Sequence, residues 1–402
     1  MAIVAALALL LGAPFGPAAS KQNPAADQVV EFSRALGIDF NESAEKAGHP
    51  STADVEAYHH SGAGAWLDAQ IQNASDEIAE PPALLRVFLR DRHDALWNVI
   101  GALEKGAPEW DSASDQNGTK HLLPVIRLQK LLLAASLLEE RQGNRIDAGR
   151  ALEASWSLER AITSSLIDQL LAVSIERWQA GVLRKLKEPP LQWMSRLSSD
   201  RPWRAMLDAV ATDYGVGLSA DALPSSDPWS ELTRSGPGAI AGGMRKLSPC
   251  AASLLSEEEA WSLAEHEMPA AASPEAIQIR AQYREMVIPG LMNAIRRAGR
   301  LEVDRELTLK ILSLRLEKDA ARGGRWPEKV LDATSAACPA VSYGYRSGKD
   351  GMEIRFEGAV YSESTGAVLP VEFRSGAPNP ASTSTPTPTL TAPAEGGMMP
   401  PQ

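Results

Sequence analysis

The sequence predicts a mainly α-helical protein, a bundle of antiparallel helical hairpins followed by a small C-terminal antiparallel β-meander of about three strands. Three observations predict it. Leu and Ala dominate the 402 residues and aromatics make up only 5%, a balance that favours helix. The strongest helical signal runs across 121–188, and from 145 onward its apolar residues recur with a 3.6-residue period, which places them on one helical face. Only the stretch "AVSYGYRSGKDGMEIRFEGAVYSESTGAVLPVEFRS" alternates and is rich in β-formers.

The first element is "MAIVAALALLLGAPFGPAASKQ". Met1 to Ser20 carry no charge, an apolar core runs from Ala2 to Leu11, and Ala18 and Ser20 are the small residues a signal peptidase prefers. The apolar core falls short of the roughly 20 residues a membrane helix needs. Residues 1–20 are therefore expected to be a signal peptide or N-terminal anchor. That places the protein outside the cytoplasm: periplasmic, secreted, or anchored by this segment, the one point of expected membrane contact.

Residues 21–272 read as a helical domain with core hairpins at 121–188. A short helix followed by a polar linker is expected over "NPAADQVVEFSRALGIDFNESAEKAGHP", helices around "TADVEAYHH" and at "AGAWLDAQIQNASDEIAE" within 52–80, and one helix over "PALLRVFLRDRHDALWNVIGALEKG", ended by Gly106 and Pro108. "HLLPVIRLQKLLLAASLLEERQGN" is apolar around most of its circumference, which suits the inside of a bundle. Gly143-Asn144 is a turn, Ser164 or Ser165 caps the next helix, and Pro189-Pro190 closes the set. The stretch "ADALPSSDPWSELTRSGPGAIAGGMRKLSPC" reads largely as loop, and Ser256 with Glu259 forms a capping box.

Residues 273–374 read as a long helix, broken or kinked at Pro289-Gly290, and then the meander, with strands near 341–346, 352–360 and 367–374. Between them lies "RLEKDAARGGRWPEKV". Lys318 to Arg322 form its last helical turn, Gly323 and Gly324 the left-handed cap, and Trp326-Pro327 a structural corner toward the sheet. Residues 375–402, rich in Pro, Ser and Thr, read as a disordered tail.

Three resemblances arise from these stretches. "LLLAASLLEERQGNRIDAGRALEASWSL" resembles a single tetratricopeptide-type hairpin, with Ala134, Ala135, Gly143 and Ala151 where two helices approach. The order of leader, "HLLPVIRLQKLLLAA", helical pair, double proline and late "GGRWPE" resembles a family of uncharacterised exported or membrane-anchored bacterial helical proteins, and implies no activity. The long helix, "GxWP" corner and small sheet are also similar to the C-terminal part of type II secretion pseudopilins. That resemblance implies a structural part in a secretion or pilus-like apparatus.

Composition and motifs narrow the chemistry. A formal charge of −11 with interleaved signs repels a phosphate backbone, so no nucleic-acid partner is expected. There is no GxSxG, HExxH or paired CxxC, so no cofactor, metal site or catalytic residue is assigned. His59 and His60 are adjacent and point about 100° apart on a helix, unlike the i, i+4 spacing of zinc helices. A site assembled across the fold would have to draw on His59, His93 and His266; Asp111 and Asp115 beside Trp110 could flank a substrate. Cys250 and Cys338 suit an oxidising compartment, where a bridge closing so long a loop contributes roughly 4–5 kcal/mol in the chain-entropy model; the sequence leaves their pairing open.

The expected function is a non-catalytic scaffold or protein- or peptide-binding module of the cell envelope. The alternatives are an extracytoplasmic hydrolase or metal-dependent enzyme using the histidine or Asp111 neighbourhoods, and the secretion-apparatus component.

Overall fold

Where a Ser precedes an apolar run, its hydroxyl takes an orphan backbone N–H and starts a helix. Ser51, Ser165, Ser248, Ser256 and Ser273 all do so, and Ser256 with Glu259 completes the expected capping box. The computed structural model describes residues 24–40, 48–108, 121–162, 165–199, 202–216, 228–268, 273–362 and 368–376. The leader, Trp110, Asp111 and Asp115, and the tail from residue 377 lie outside the described residues.

The N-terminal hairpins comprise α1 (Pro24–Ala35), α2 (Thr52–Ser61), α3 (Ala63–Gln72), α4 (Ala83–Asp91), α5 (His93–Glu104), α6 (Leu122–Gln142), α7 (Arg145–Glu159) and α8 (Leu166–Leu183). They enclose one apolar cluster that includes Leu85, Ile100, Leu131, Leu132, Leu152 and Ile175, all fully buried. α6 and α7 are antiparallel neighbours joined at Gly143, whose φ of 87° is the left-handed conformation that glycine adopts freely. Some buried polar groups on this hairpin are satisfied within it, Ser136 donating to the Ala148 carbonyl (2.8 Å) and Gln129 to that of Ser155 (2.9 Å), while Glu140 accepts the Lys187 N–H from beyond it (3.2 Å). The single helix expected over 83–105 is two, because the backbone leaves helical geometry at Arg92 (φ −110°, ψ 15°). The Arg92 guanidinium there donates to Asp54 of α2.

After the double proline come α9 (Gln192–Ser199), α10 (Pro202–Val216), α11 (Pro228–Arg245), α12 (Pro249–Leu254), α13 (Glu257–Glu265) and α14 (Pro274–Ala320). α11 corrects the expectation of loop across this region. Glycines and Pro237 lower its intrinsic propensity, but Ile240, Ala241 and Met244 are buried in a second cluster, and packing overrides propensity. Gly236 leaves room for the Tyr283 ring of α14; a Cβ there would lie 3.0 Å from its hydroxyl oxygen.

α14 spans 47 residues, about 70 Å at 1.5 Å per residue. It continues as helix through Pro289, so the alternative of a break at Pro289-Gly290 does not hold. Proline removes one intrahelical bond, but Ile288, Leu291 and Met292 on either side are fully buried and hold the two halves in register. The helix supplies residues to all three apolar clusters: Leu312 to the first, Tyr283 to Leu301 to the second, and Val303, Leu307, Ile311 and Leu314 to the third. Two glycines let neighbours approach closely. A Cβ on Gly299 would lie 2.4 Å from the Pro249 carbonyl oxygen at the start of α12. One on Gly181 of α8 would lie 2.6 Å from the Ile71 side chain.

The meander is present as a three-stranded antiparallel sheet in the order β1 (Tyr343–Ser347), β2 (Gly351–Phe356), β3 (Glu372–Gly376). Met352, Ile354 and Phe356 alternate onto the buried face and pack on the C-terminal half of α14. The third strand starts later than expected. Pro370 has no N–H to donate, and the adjacent Leu369 is buried in the first helical cluster. Ser375, expected in the tail, pairs with Met352 inside β3.

The corner differs in detail. α14 ends at Ala320 and its cap is Ala321, so Gly323 (φ 87°) and Gly324 (φ 62°) shape the turn beyond the cap rather than the cap itself. Lys318 lies 4.5 Å over the Trp326 ring, which packs on the third cluster, and Tyr345 of β1 donates to the Pro327 carbonyl (2.9 Å). Among the described residues no helix is long and apolar enough to cross a membrane.

Candidate functional site

The residues that organise the centre of the molecule are the charges of α14. A run such as "AIRRAGRLEVDRELTLKILSLRLEKD" has arginines at intervals among apolar residues, and the bundle covers them. Asp304 is fully buried and faces three guanidiniums: Arg177 (3.4 Å), Arg300 (3.2 Å) and Arg184 (3.9 Å). One carboxylate cannot balance three cations, and further donors go to backbone carbonyls and, from the Arg184 Nε–H, to the Thr308 hydroxyl (3.0 Å). Arg300 donates to Leu369 (2.6 Å) and Tyr361 (3.2 Å), and Arg184 to Pro370 (2.8 Å) and Asp304 itself (2.8 Å). Burial pushes the Arg184 guanidinium down to about 10, against the pull of Asp304.

The same chemistry caps helices. Arg315 donates to the Leu183, Arg184 and Leu186 carbonyls at the end of α8, and Arg305 to the Arg196 and Leu197 carbonyls at the end of α9. Helix C-termini carry unsatisfied carbonyls and partial negative charge, so a buried guanidinium there meets both needs. Lys185 donates to the carbonyls of Asn73 (3.3 Å), Ser75 (2.6 Å) and Glu77 (3.1 Å), and burial pushes its ammonium down to about 8.

Beside this centre lies a cleft of about 670 Å³ between α10, α14 and the loop that precedes β1. Its apolar surface comes from Leu197, Trp203, Leu207, Leu247 and Leu309. Glu302 and Glu306, four residues apart on one face of α14, line it together with Arg305. The Glu302 carboxylate accepts the Trp203 N–H (3.1 Å), fixing the first turn of α10. Glu306 holds the opposite wall: it accepts from the Ser335 hydroxyl (2.6 Å), the Ala336 N–H (2.8 Å) and the Ala337 N–H (3.3 Å). Lys310 lies 3.6 Å away and donates to the Asp332 carbonyl of the same loop. Arg305 is paired with Glu176, and at the mouth Arg245 of α11 is paired with Asp208 of α10.

The two cysteines meet behind this wall. Cys250 and Cys338 form a disulfide (S–S 2.00 Å, Cα–Cα 5.2 Å), and the Cys250 N–H donates to the Ala337 carbonyl. Pro249 on one side of the bridge and Ala337 on the other both line the cleft. The disulfide thus closes one end of it.

The histidines singled out in the sequence are spread over separate elements. His59 is exposed on α2 against Tyr58, and His93 is exposed at the start of α5, 3.1 Å from Asp94. His266 is exposed at the end of α13, its Nδ1 2.6 Å from the Ser262 carbonyl oxygen. None of the three lines the cleft, and among the described residues no group of three His, Cys, Asp or Glu is placed to hold a metal ion. The residues that do line it went unremarked in the sequence. The spacing of Glu302 and Glu306 was the available signal, and it reads equally as a solvated helical face. No family model, curated protein or solved structure matches the chain.

Proposed function

We propose that this protein is a non-catalytic binding module of the cell envelope that takes a peptide or a segment of a protein partner into the cleft between α10 and α14. The observation that carries the reading is the cleft itself. Its volume of about 670 Å³ falls within the usual range for ligand sites, roughly 300–1,000 Å³, and its lining combines apolar surface with a few fixed polar groups. Each apolar side chain seated there contributes about 1.5–3 kcal/mol, and walls held by Glu302, Glu306 and a disulfide reduce the ordering cost of binding. The apolar, uncharged segment 1–20 and the bonded cysteines support an extracytoplasmic location.

The test is cross-linked affinity capture from the envelope fraction with the intact protein and with Ala336→Trp. Ala336 is exposed on the cleft wall, so the substitution fills the site while stability stays within about 0.5 kcal/mol of the parent. A stoichiometric partner captured by the parent and lost at least tenfold by Ala336→Trp is the expected result. Equal capture by both proteins would move binding away from the cleft.

A further inference from the structure

The charges around the cleft select its ligand. Arg305 is engaged by Glu176 and by two helix-end carbonyls, and Glu302 by the first turn of α10. Glu306 is engaged by three donors of the 335–337 loop, and Arg245 by Asp208. Arg204, exposed at the mouth on the first turn of α10, is the lining charge without an ion pair or side-chain hydrogen bond among the described residues. A ligand that enters the cleft loses water, and any charge it carries needs a partner there. An anion meets Arg204, whereas a cation finds every carboxylate already committed.

From this accounting we propose that the cleft selects a peptide segment in which one acidic side chain is flanked by apolar residues, the carboxylate meeting Arg204 and the apolar side chains packing on Trp203, Leu207 and Leu309. The inference rests on the peptide-binding reading above and specifies its ligand. An alkyl carboxylate shares the same two features. The apolar lining is interrupted by Ser198, whose hydroxyl donates to the Ser195 carbonyl, and by the Arg245–Asp208 pair, however, and an acyl chain would strip water from their remaining lone pairs and N–H groups without replacing it. A peptide backbone brings donors and acceptors for both.

The probe is an array of N-acetylated octapeptide amides in which acidic, basic and apolar content vary independently, exposed to the intact protein and to Arg204→Glu. Retention of acidic–apolar peptides, absent for their lysine counterparts, is expected from the parent. Arg204→Glu should weaken those peptides at least tenfold and favour the lysine series; its circular dichroism should match the parent, since Arg204 touches no core. Peptides retained without acidic preference, or unaffected by Arg204→Glu, overturn this inference and leave peptide binding standing. Failure to retain any peptide overturns both. Displacement of bound peptide by dodecanoate at lower concentration than by the free peptide assigns the site to an acyl carboxylate and also overturns it.

Discussion

Asp304 is the residue on which the centre depends most. Three buried guanidiniums approach it within 3.9 Å, and removing one partner of a buried ionic set costs about 3–5 kcal/mol. Asp304→Asn keeps the shape and removes the charge. Its denaturant midpoint should fall by an amount worth about 3 kcal/mol or more, with the helical circular dichroism signal retained in water. A loss below about 1 kcal/mol would mean that backbone carbonyls alone hold Arg177, Arg184 and Arg300, each hydrogen bond counting only its usual net contribution. None of this was legible in the sequence. Arg300, Asp304 and Arg305 sit at spacings that also describe a solvated stripe, and their burial is decided by partners on other elements, such as Tyr361 for Arg300 (61 residues away) and Glu176 for Arg305 (129 residues away).

At the level of elements, the long periodic segments were legible and the interrupted ones were not. The α6–α7 hairpin, its glycine turn, the Ser165 cap and the capping box at Ser256 follow from local chemistry, and local chemistry is what a sequence displays. The helicity of α11 and the continuity of α14 through Pro289 come from burial against other elements, which no local pattern reveals. The cleft was missed for the same reason, since its walls come from four separate segments. Gly299 shows how tight such contacts are. Alanine gains up to about 1 kcal/mol of helix propensity over glycine. Its Cβ, however, would meet the Pro249 carbonyl oxygen at 2.4 Å, and a backbone oxygen yields far less readily than a side chain. Overpacking of this kind costs about 1–3 kcal/mol. Gly299→Ala should therefore lower the melting temperature; an unchanged or raised value would show that α12 shifts freely along α14.

The whole molecule is tied together by α14, which reaches all three apolar clusters, and by the Cys250–Cys338 bridge across 88 residues. A chain ending at Ala272 lacks Tyr283 to Leu301 of the second cluster and every guanidinium that closes α8 and α9 from outside. Such a fragment should unfold over a broad range rather than in one sharp transition, as followed by circular dichroism on heating. A sharp transition would mean that the hairpins suffice alone.

The arginine caps also set a timetable. The end of α8 is completed by Arg315, 131 residues later in the chain than Arg184, whose carbonyl it binds. At about 5–20 residues per second, synthesis needs on the order of ten seconds to deliver that cap. Throughout that interval the hairpins already made lack those donors, and the apolar side chains that α14 covers face water until it arrives.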